Sequence, residues 1–270
     1  MMRKRGNGMV LYFHEMKMNV KSLVIWTICV GGLCLGCILL YSSLEESLQG
    51  MAEVYSDLGA MSAALGMDKM SIATLMGFYA TEVAMMHGLG GAMFAAILGS
   101  GLLSKEEAGH TAEFLNTFPI SRNRIFLVKY GALVSNIFLF HVICVGCYFI
   151  GFAVMGEEIL WREMLLFHGV QFLMLLEIGT ICFLLSSFSK RIQMGAGLGI
   201  TIVLFAADMM CRILPALEKV KYITPFYYAN APDIFTAGEV EMKLTGIGGA
   251  VIFFALLAAA THYCRKDIAA

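Results

Sequence analysis

Six stretches of this chain are apolar for long enough to cross a hydrocarbon layer, and that constrains its fold more than any other feature. They cover residues 23–41, 78–103, 125–155, 164–188, 194–214 and 245–263. A membrane-spanning helix needs about 20 predominantly apolar residues. Hydrophobic residues make up 59% of the sequence and the mean hydropathy is +0.76, against an ordinary apolar share of roughly 45–50%. A soluble core of this size has no room for that surplus. The expected fold is therefore all-α and integral to the membrane. With no internal repeat and no linker, residues 1–270 read as one transmembrane domain. The first stretch is too long for a cleaved leader and lacks a small-residue cleavage site after it, so it reads as an anchor.

Net charge is close to zero, but the placement of charge is informative. Lys69, Arg162, Arg212, Lys219, Lys221 and Lys243 flank the stretches on one side, and the other 13 of the 19 Lys and Arg residues flank them on the opposite side. Positive residues concentrate on the cytoplasmic side. Both termini and the 105–129 connection are thus expected in the cytoplasm, in a plasma-membrane protein. Trp26, Tyr130 and Tyr263 suit the inner interface, and Tyr41, Tyr79, Trp161 and Tyr227 the outer one.

Two flanking segments have amphipathic patterns. Before the first stretch, LYFHEMKMNVKSLVIW predicts a short helix along the inner surface that turns into the first span. After it, Leu44, Leu48, Met51, Tyr55, Leu58 and Leu65 share one helical face, with Glu45, Glu46, Glu53 and Asp57 elsewhere. That pattern predicts a helix lying on the outer surface or capping the bundle. A second outer connection, from Pro215 to Glu241, is rich in proline and aromatic residues and reads as interfacial.

Between the second and third stretches the chain reads KEEAGHTAEFLNTFPISRNRIFLVK. Ala108, Thr111, Ala112 and Leu115 form a helical apolar stripe beneath Glu106, Glu107, His110 and Glu113. Pro119 stops that helix and Ser121 stands where the next helix needs its N-cap. A turn this charged, in a protein of short loops, predicts that something soluble docks on it. The chain has no phosphate-binding loop: Gly99-Ser-Gly-Leu-Leu-Ser-Lys105 has the residue types without the spacing. If ATP powers the protein, another chain binds it.

The pattern Glu106-Glu107-x-Gly109-x-Thr111-x-Glu113-Phe114-Leu115-x-x-x-Pro119-x-Ser121-Arg122 resembles the cytoplasmic coupling segment of type-2 ABC transporter permeases. HEMKMNVKSLVIW is similar to that family's N-terminal helix, and ITPFYYANAPDIFTAGEV to its outer segment before the last span. One departure is His110, which stands between Gly109 and Thr111 where the family runs Gly-Thr directly. The resemblance implies a six-span subunit that pairs with a second permease, identical or not. Each would rest on an ATPase subunit, two per transporter, that binds ATP and magnesium. This chain would hold no cofactor or metal, catalyse no covalent step, export its cargo and contact lipid but no nucleic acid. The segment would transmit the ATPase's movement through Lys105, Glu106, Glu107, His110, Thr111, Glu113, Phe114 and Leu115. Phe114 and Leu115 would act as apolar anchors, and the glutamates would meet basic groups on the ATPase.

Ionisable residues at membrane depth are costly and mark candidate sites. Glu82, His141, Glu177, Asp208 and Arg212 are the candidates for a pathway or an intramembrane polar contact. Asp208 and Arg212 are four apart and can pair on one helical face. They and Glu177 also suit an alternative, a stand-alone ion-coupled transporter or channel. Gly32-x-x-x-Gly36 and Gly195-x-x-x-Gly199 permit close helix contact, within the chain or with a second subunit. Glu157-Glu158-Ile-Leu-Trp-Arg162 fits the E-E-x-x-x-R motif of intramembrane CAAX-type proteases, but the required later histidine motif is missing. The eight cysteines fall mostly within apolar stretches and read as buried and inert.

Overall fold

The computed structural model describes residues 2–112 and 119–266, and side chains within them from Gly8 onward except that of Ser56. Among the described residues there is no strand. Hydrocarbon offers backbone groups no hydrogen-bond partners, so an apolar chain must satisfy them within helices. Six helices are long and apolar enough to cross a membrane: Gly8–Tyr55, Leu75–Leu102, Arg122–Met155, Trp161–Phe188, Met194–Ile213 and Met242–Arg265. They are numbered here as spans one to six. Six crossings bring both ends of the described chain to the same end of the bundle. There Arg122 Nη1 donates to the Lys266 carbonyl at 2.7 Å.

The boundaries of spans two to six lie within a few residues of the apolar stretches. The first span differs. The predicted inner-surface helix, the span and the first part of the predicted outer helix form one unbroken helical run that reaches Ser56. Its Gly8–Tyr55 portion is about 72 Å long at roughly 1.5 Å per residue, more than twice the roughly 30 Å hydrocarbon core. The predicted turn into the membrane is absent because no proline interrupts this run and its early part packs along span three. Tyr12 there donates to Ser135 Oγ at 2.7 Å, and Glu15 is 1% exposed. A π-helical segment, Thr27–Gly31, absorbs the register change where Gly31 lies over Cys144: a Cβ on Gly31 would sit 3.0 Å from Cys144 Sγ. Span two carries a second π segment, Tyr79–Val83.

Spans two and four form the core. Small residues on span two let it approach span four: a Cβ at Gly99 would lie 2.3 Å from the Gly179 carbonyl, and one at Gly91 3.1 Å from Leu175. Gly32, Gly36, Gly195 and Gly199 have nothing within 4 Å of a Cβ position, so those two motifs make no close helix contact inside the chain.

Between spans five and six the chain forms a 3-10 helix, Pro215–Tyr222, and two short α-helices, Pro225–Tyr228 and Ala231–Ala237. Each has proline in its first turn, where the missing N–H is no loss. The connection dips into the bundle. Thr224 Oγ1 donates to the Leu204 carbonyl at 2.8 Å, and Tyr228 reaches Glu177. Glu177 lies more than half-way along span four, about 24 Å from its Trp161 end at roughly 1.5 Å per residue.

Candidate functional site

At the end holding the termini, the turn after span two is fastened to four other parts of the chain. Leu103 N and Ser104 N donate to Ser186 Oγ of span four at 3.0 and 3.1 Å. One helical turn follows, Lys105–Ala108. Lys105 Nζ pairs with Glu15 of span one. Glu106 Oε1 accepts from Lys129 Nζ of span three at 2.5 Å, and Glu107 Oε1 from Lys266 Nζ, just beyond span six, at 2.8 Å. Lys129 is 0% exposed. It also donates to Glu15 Oε1 at 3.0 Å and to the Leu102 carbonyl at 2.7 Å, so all three ammonium protons have acceptors. A buried charge persists only when it is paired and hydrogen-bonded in this way.

The predicted helix through residue 115 is interrupted. His110 has φ +53°. Its N–H donates to the Glu107 carbonyl at 3.2 Å, and the Thr111 N–H to the Glu106 carbonyl at 2.8 Å. Those two bonds form the Schellman motif that ends a helix, with His110 in the left-handed position that glycine usually takes. The inserted residue is therefore the stop. The expectation that Glu106 and Glu107 point outward is corrected as well, since both carboxylates are engaged inside the chain. What this turn presents to its surroundings is Ala108, Gly109, His110 and Thr111, all exposed. Glu113, Phe114 and Leu115 lie outside the described residues. Ser121 does stand at the N-cap of span three, in extended conformation, with its carbonyl rather than its side chain bonding the first turn.

The opposite end carries a second charged cluster. Asp208 and Arg212 pair as their spacing predicts, Oδ1 to Nε at 3.0 Å. Arg212 also donates from Nη1 to Asp233 Oδ2 at 2.9 Å and from Nη2 to the Tyr227 carbonyl at 3.1 Å, and its guanidinium lies 4.4 Å from the Tyr227 ring centre. Asp233 Oδ1 accepts from Lys69 at 2.5 Å. Gly66, with φ +73°, lies beneath Pro232: a Cβ there would be 2.4 Å from Pro232 Cγ. Only glycine fits that contact and that backbone angle.

Glu177 Oε2 accepts from Tyr228 Oη at 2.7 Å. Burial, and then the neighbouring carboxyl group, push the Tyr228 phenol well above its ordinary range, so it remains a donor. Span six passes directly over this bond: a Cβ at Gly248 would lie 2.6 Å from Glu177 Oε2 and 2.8 Å from Tyr228 Oη. His141 belongs to a polar network across spans two, three and four. His87 Nε2 is 3.1 Å from His141 Nδ1, His87 Nδ1 is 2.6 Å from Tyr148 Oη, and Tyr79 Oη is 2.8 Å from His168 Nε2. No carboxylate takes part in these bonds, and among the described residues no group of His, Cys, Asp or Glu is arranged to hold a metal ion. Glu82, on the second π segment, is half-buried and makes no hydrogen bond or ion pair among the described residues. The paired glutamates 157 and 158 are exposed in the connection to span four.

Sequence reasoning missed Glu15, Lys266, Asp233 and Tyr228, and gave Lys129 no role. One signal was available. Lys129 lies inside the third apolar stretch, and a cation at that position demands a counter-charge. Which acid answers it is set by tertiary packing 114 residues away in sequence, beyond the reach of any local pattern.

No curated protein matches the chain. The family profile described as ABC-2 family transporter protein matches residues 9–264, covering every span, the fastened turn and the re-entrant connection. With six membrane-crossing helices in the same region, this chain belongs to the ABC-2 family of transporter proteins, as a membrane-embedded, non-catalytic subunit of an ABC transporter.

Proposed function

We propose that this chain is the permease half of an ATP-driven exporter in the plasma membrane, with both termini and the 105–111 turn in the cytoplasm. Two permeases, identical or not, would pair and rest on two ATPase subunits that bind ATP and magnesium. The observation that carries this reading is the fastening of the turn. Three consecutive residues, Lys105, Glu106 and Glu107, each hold a different part of the chain: span one, span three and the end of span six. A partner that pushes on the exposed residues 108–111 therefore moves three transmembrane elements through short, buried contacts. Lys105, Glu106 and Glu107 act as transmitters in this reading. His110, Thr111, Glu113, Phe114 and Leu115 form the contact surface.

The unpacked glycines on spans one and five support a second permease there, because bare backbone allows helices to approach closely. The intramembrane acids bear on the alternative of a stand-alone ion-coupled transporter. Glu177 and Asp208 are each engaged by a partner within the chain, as expected of groups that hold helices together. Glu82 has none among the described residues, which makes it the stronger candidate for lining a path.

The test uses the chain co-expressed with an ATPase subunit encoded beside it. A cysteine at Thr111 should crosslink to that ATPase in the purified complex. The double variant Glu106→Gln/Glu107→Gln should still assemble, while losing the stimulation of ATP hydrolysis by the permease. Transport by the purified chain with no ATPase present would overturn the proposal. So would full stimulation in the double variant.

A further inference from the structure

Spans three and six, near the end that holds the termini, line an open groove of about 520 Å³. Its walls are apolar: Leu127 is 63% exposed, Phe253 62% and Leu257 51%, with Phe126 at its floor. Its mouth is polar. Arg265, in the last turn of span six, is exposed and makes no ion pair among the described residues. Asn123 faces it across the groove, with Oδ1 already accepting from Cys264 Sγ at 2.7 Å. What Asn123 offers to an occupant is its amide N–H groups. The mouth therefore presents donors and one positive charge.

From Phe253 to Arg265 the groove runs about 18 Å along span six at roughly 1.5 Å per residue. That is close to half of the roughly 30 Å hydrocarbon core, the depth of a single leaflet. The geometry points to a binding site for an anionic phospholipid. One acyl chain lies between spans three and six, and the phosphodiester sits at Arg265 and Asn123. Apolar walls of one-leaflet depth under one cation with no ion pair among the described residues complement that amphiphile and no purely apolar ligand. Arginine suits the role because its planar fork matches phosphate oxygens.

The experiment places the purified chain in phosphatidylcholine vesicles. These are doped either with phosphatidylglycerol carrying a photoactivatable acyl chain or with the matching phosphatidylcholine probe, and the labelled peptides are mapped. Phosphatidylglycerol should label residues 123–127 and 253–265 about five-fold more than phosphatidylcholine, the ratio expected for one surface cation. Arg265→Gln should abolish that ratio while leaving phosphatidylcholine labelling in place. Thr261→Phe, an exposed position on the groove wall, should remove both signals there and leave labelling of span five unchanged. Its thermal unfolding reports whether the fold is intact. Equal labelling by the two probes in the unaltered chain would overturn the site. So would labelling indifferent to Thr261→Phe, or a Thr261→Phe chain that loses a dimer instead of a lipid.

Discussion

The two ends of the bundle are both closed by balanced charges, yet they are built on different cations. At the terminal end, Lys105, Lys129 and Lys266 answer Glu15, Glu106 and Glu107. At the far end, Lys69 and Arg212 answer Asp208 and Asp233. Lysine at the centre of the first set is a compact charge with three donors that can point to three segments at once. Arginine at the centre of the second is a planar fork that fixes its acceptors in one geometry and stacks on Tyr227. Exposure differs too. The Lys129 side chain is 0% exposed, whereas Asp233 and Lys69 are 29% and 43% exposed. Water screens the outer half of the far cluster, and that half contributes correspondingly little. The terminal cluster joins span one, span three and the end of span six around a fully buried lysine. The far cluster holds a re-entrant connection in place.

The largest effect should come from Lys129→Met. It leaves Glu15, 1% exposed, with only Lys105, and leaves Glu106 with no cation. Removing one member of a buried charge pair costs about 3–5 kcal/mol. Thermal unfolding in nanodiscs should show a large drop, and adding Glu15→Gln to the same chain should restore part of it. If the single and double variants unfold together at the wild-type temperature, the junction carries no weight and the contrast between the two ends disappears.

Arg212→Lys should have a smaller effect. Lysine keeps the charge beside Asp208 and reaches fewer of the fork's acceptors, so contacts to Asp233 or to the Tyr227 carbonyl are lost. Each hydrogen bond to a charged group is worth about 1.5–3 kcal/mol, and Lys69 still holds Asp233, so the net loss should fall near the lower figure. Reconstituted chain unfolded by heat gives the comparison. A loss as large as that of Lys129→Met would mean that both ends depend on a buried charge to the same degree.

How far the sequence foretold these clusters follows from how local each contact is. The Asp208–Arg212 pair is four residues apart on one helix, and its spacing announced it. Spans two to six were legible because an apolar run of sufficient length has few other fates in a membrane. The Glu15–Lys129 contact joins residues that only the packing of span one along span three brings together. The same packing removed the predicted turn into span one, since amphipathic periodicity describes a surface helix and a helix docked on a neighbour equally well. The Tyr228–Glu177 bond was hidden for another reason: composition marks a segment as interfacial but does not give the depth to which it dips.

The smallest predicted effect concerns the turn itself and has the opposite sign. His110 sits at φ +53°, a region that disfavours residues with a Cβ by about 1–2 kcal/mol, with small polar side chains the mildest cases. Glycine has no such cost but loses more entropy on folding, by roughly 0.5–1 kcal/mol relative to alanine. His110→Gly should therefore be neutral to stabilising by at most about 1 kcal/mol, since the Schellman bonds are made by backbone groups that glycine retains. His110→Val should be clearly destabilising, because a β-branched residue fits this region worst. Deleting His110 is the sharper probe. It restores the direct Gly-Thr step of the type-2 permeases and moves Gly109 next to Thr111. If that step also ends the helix, the Glu106 and Glu107 pairings survive and the deletion unfolds close to the wild type. If His110 is needed to aim the chain toward span three, the deletion loses stability well beyond the glycine substitution. Comparing the two variants by thermal unfolding separates a backbone stop from a side-chain role at the residue that stands between Gly109 and Thr111.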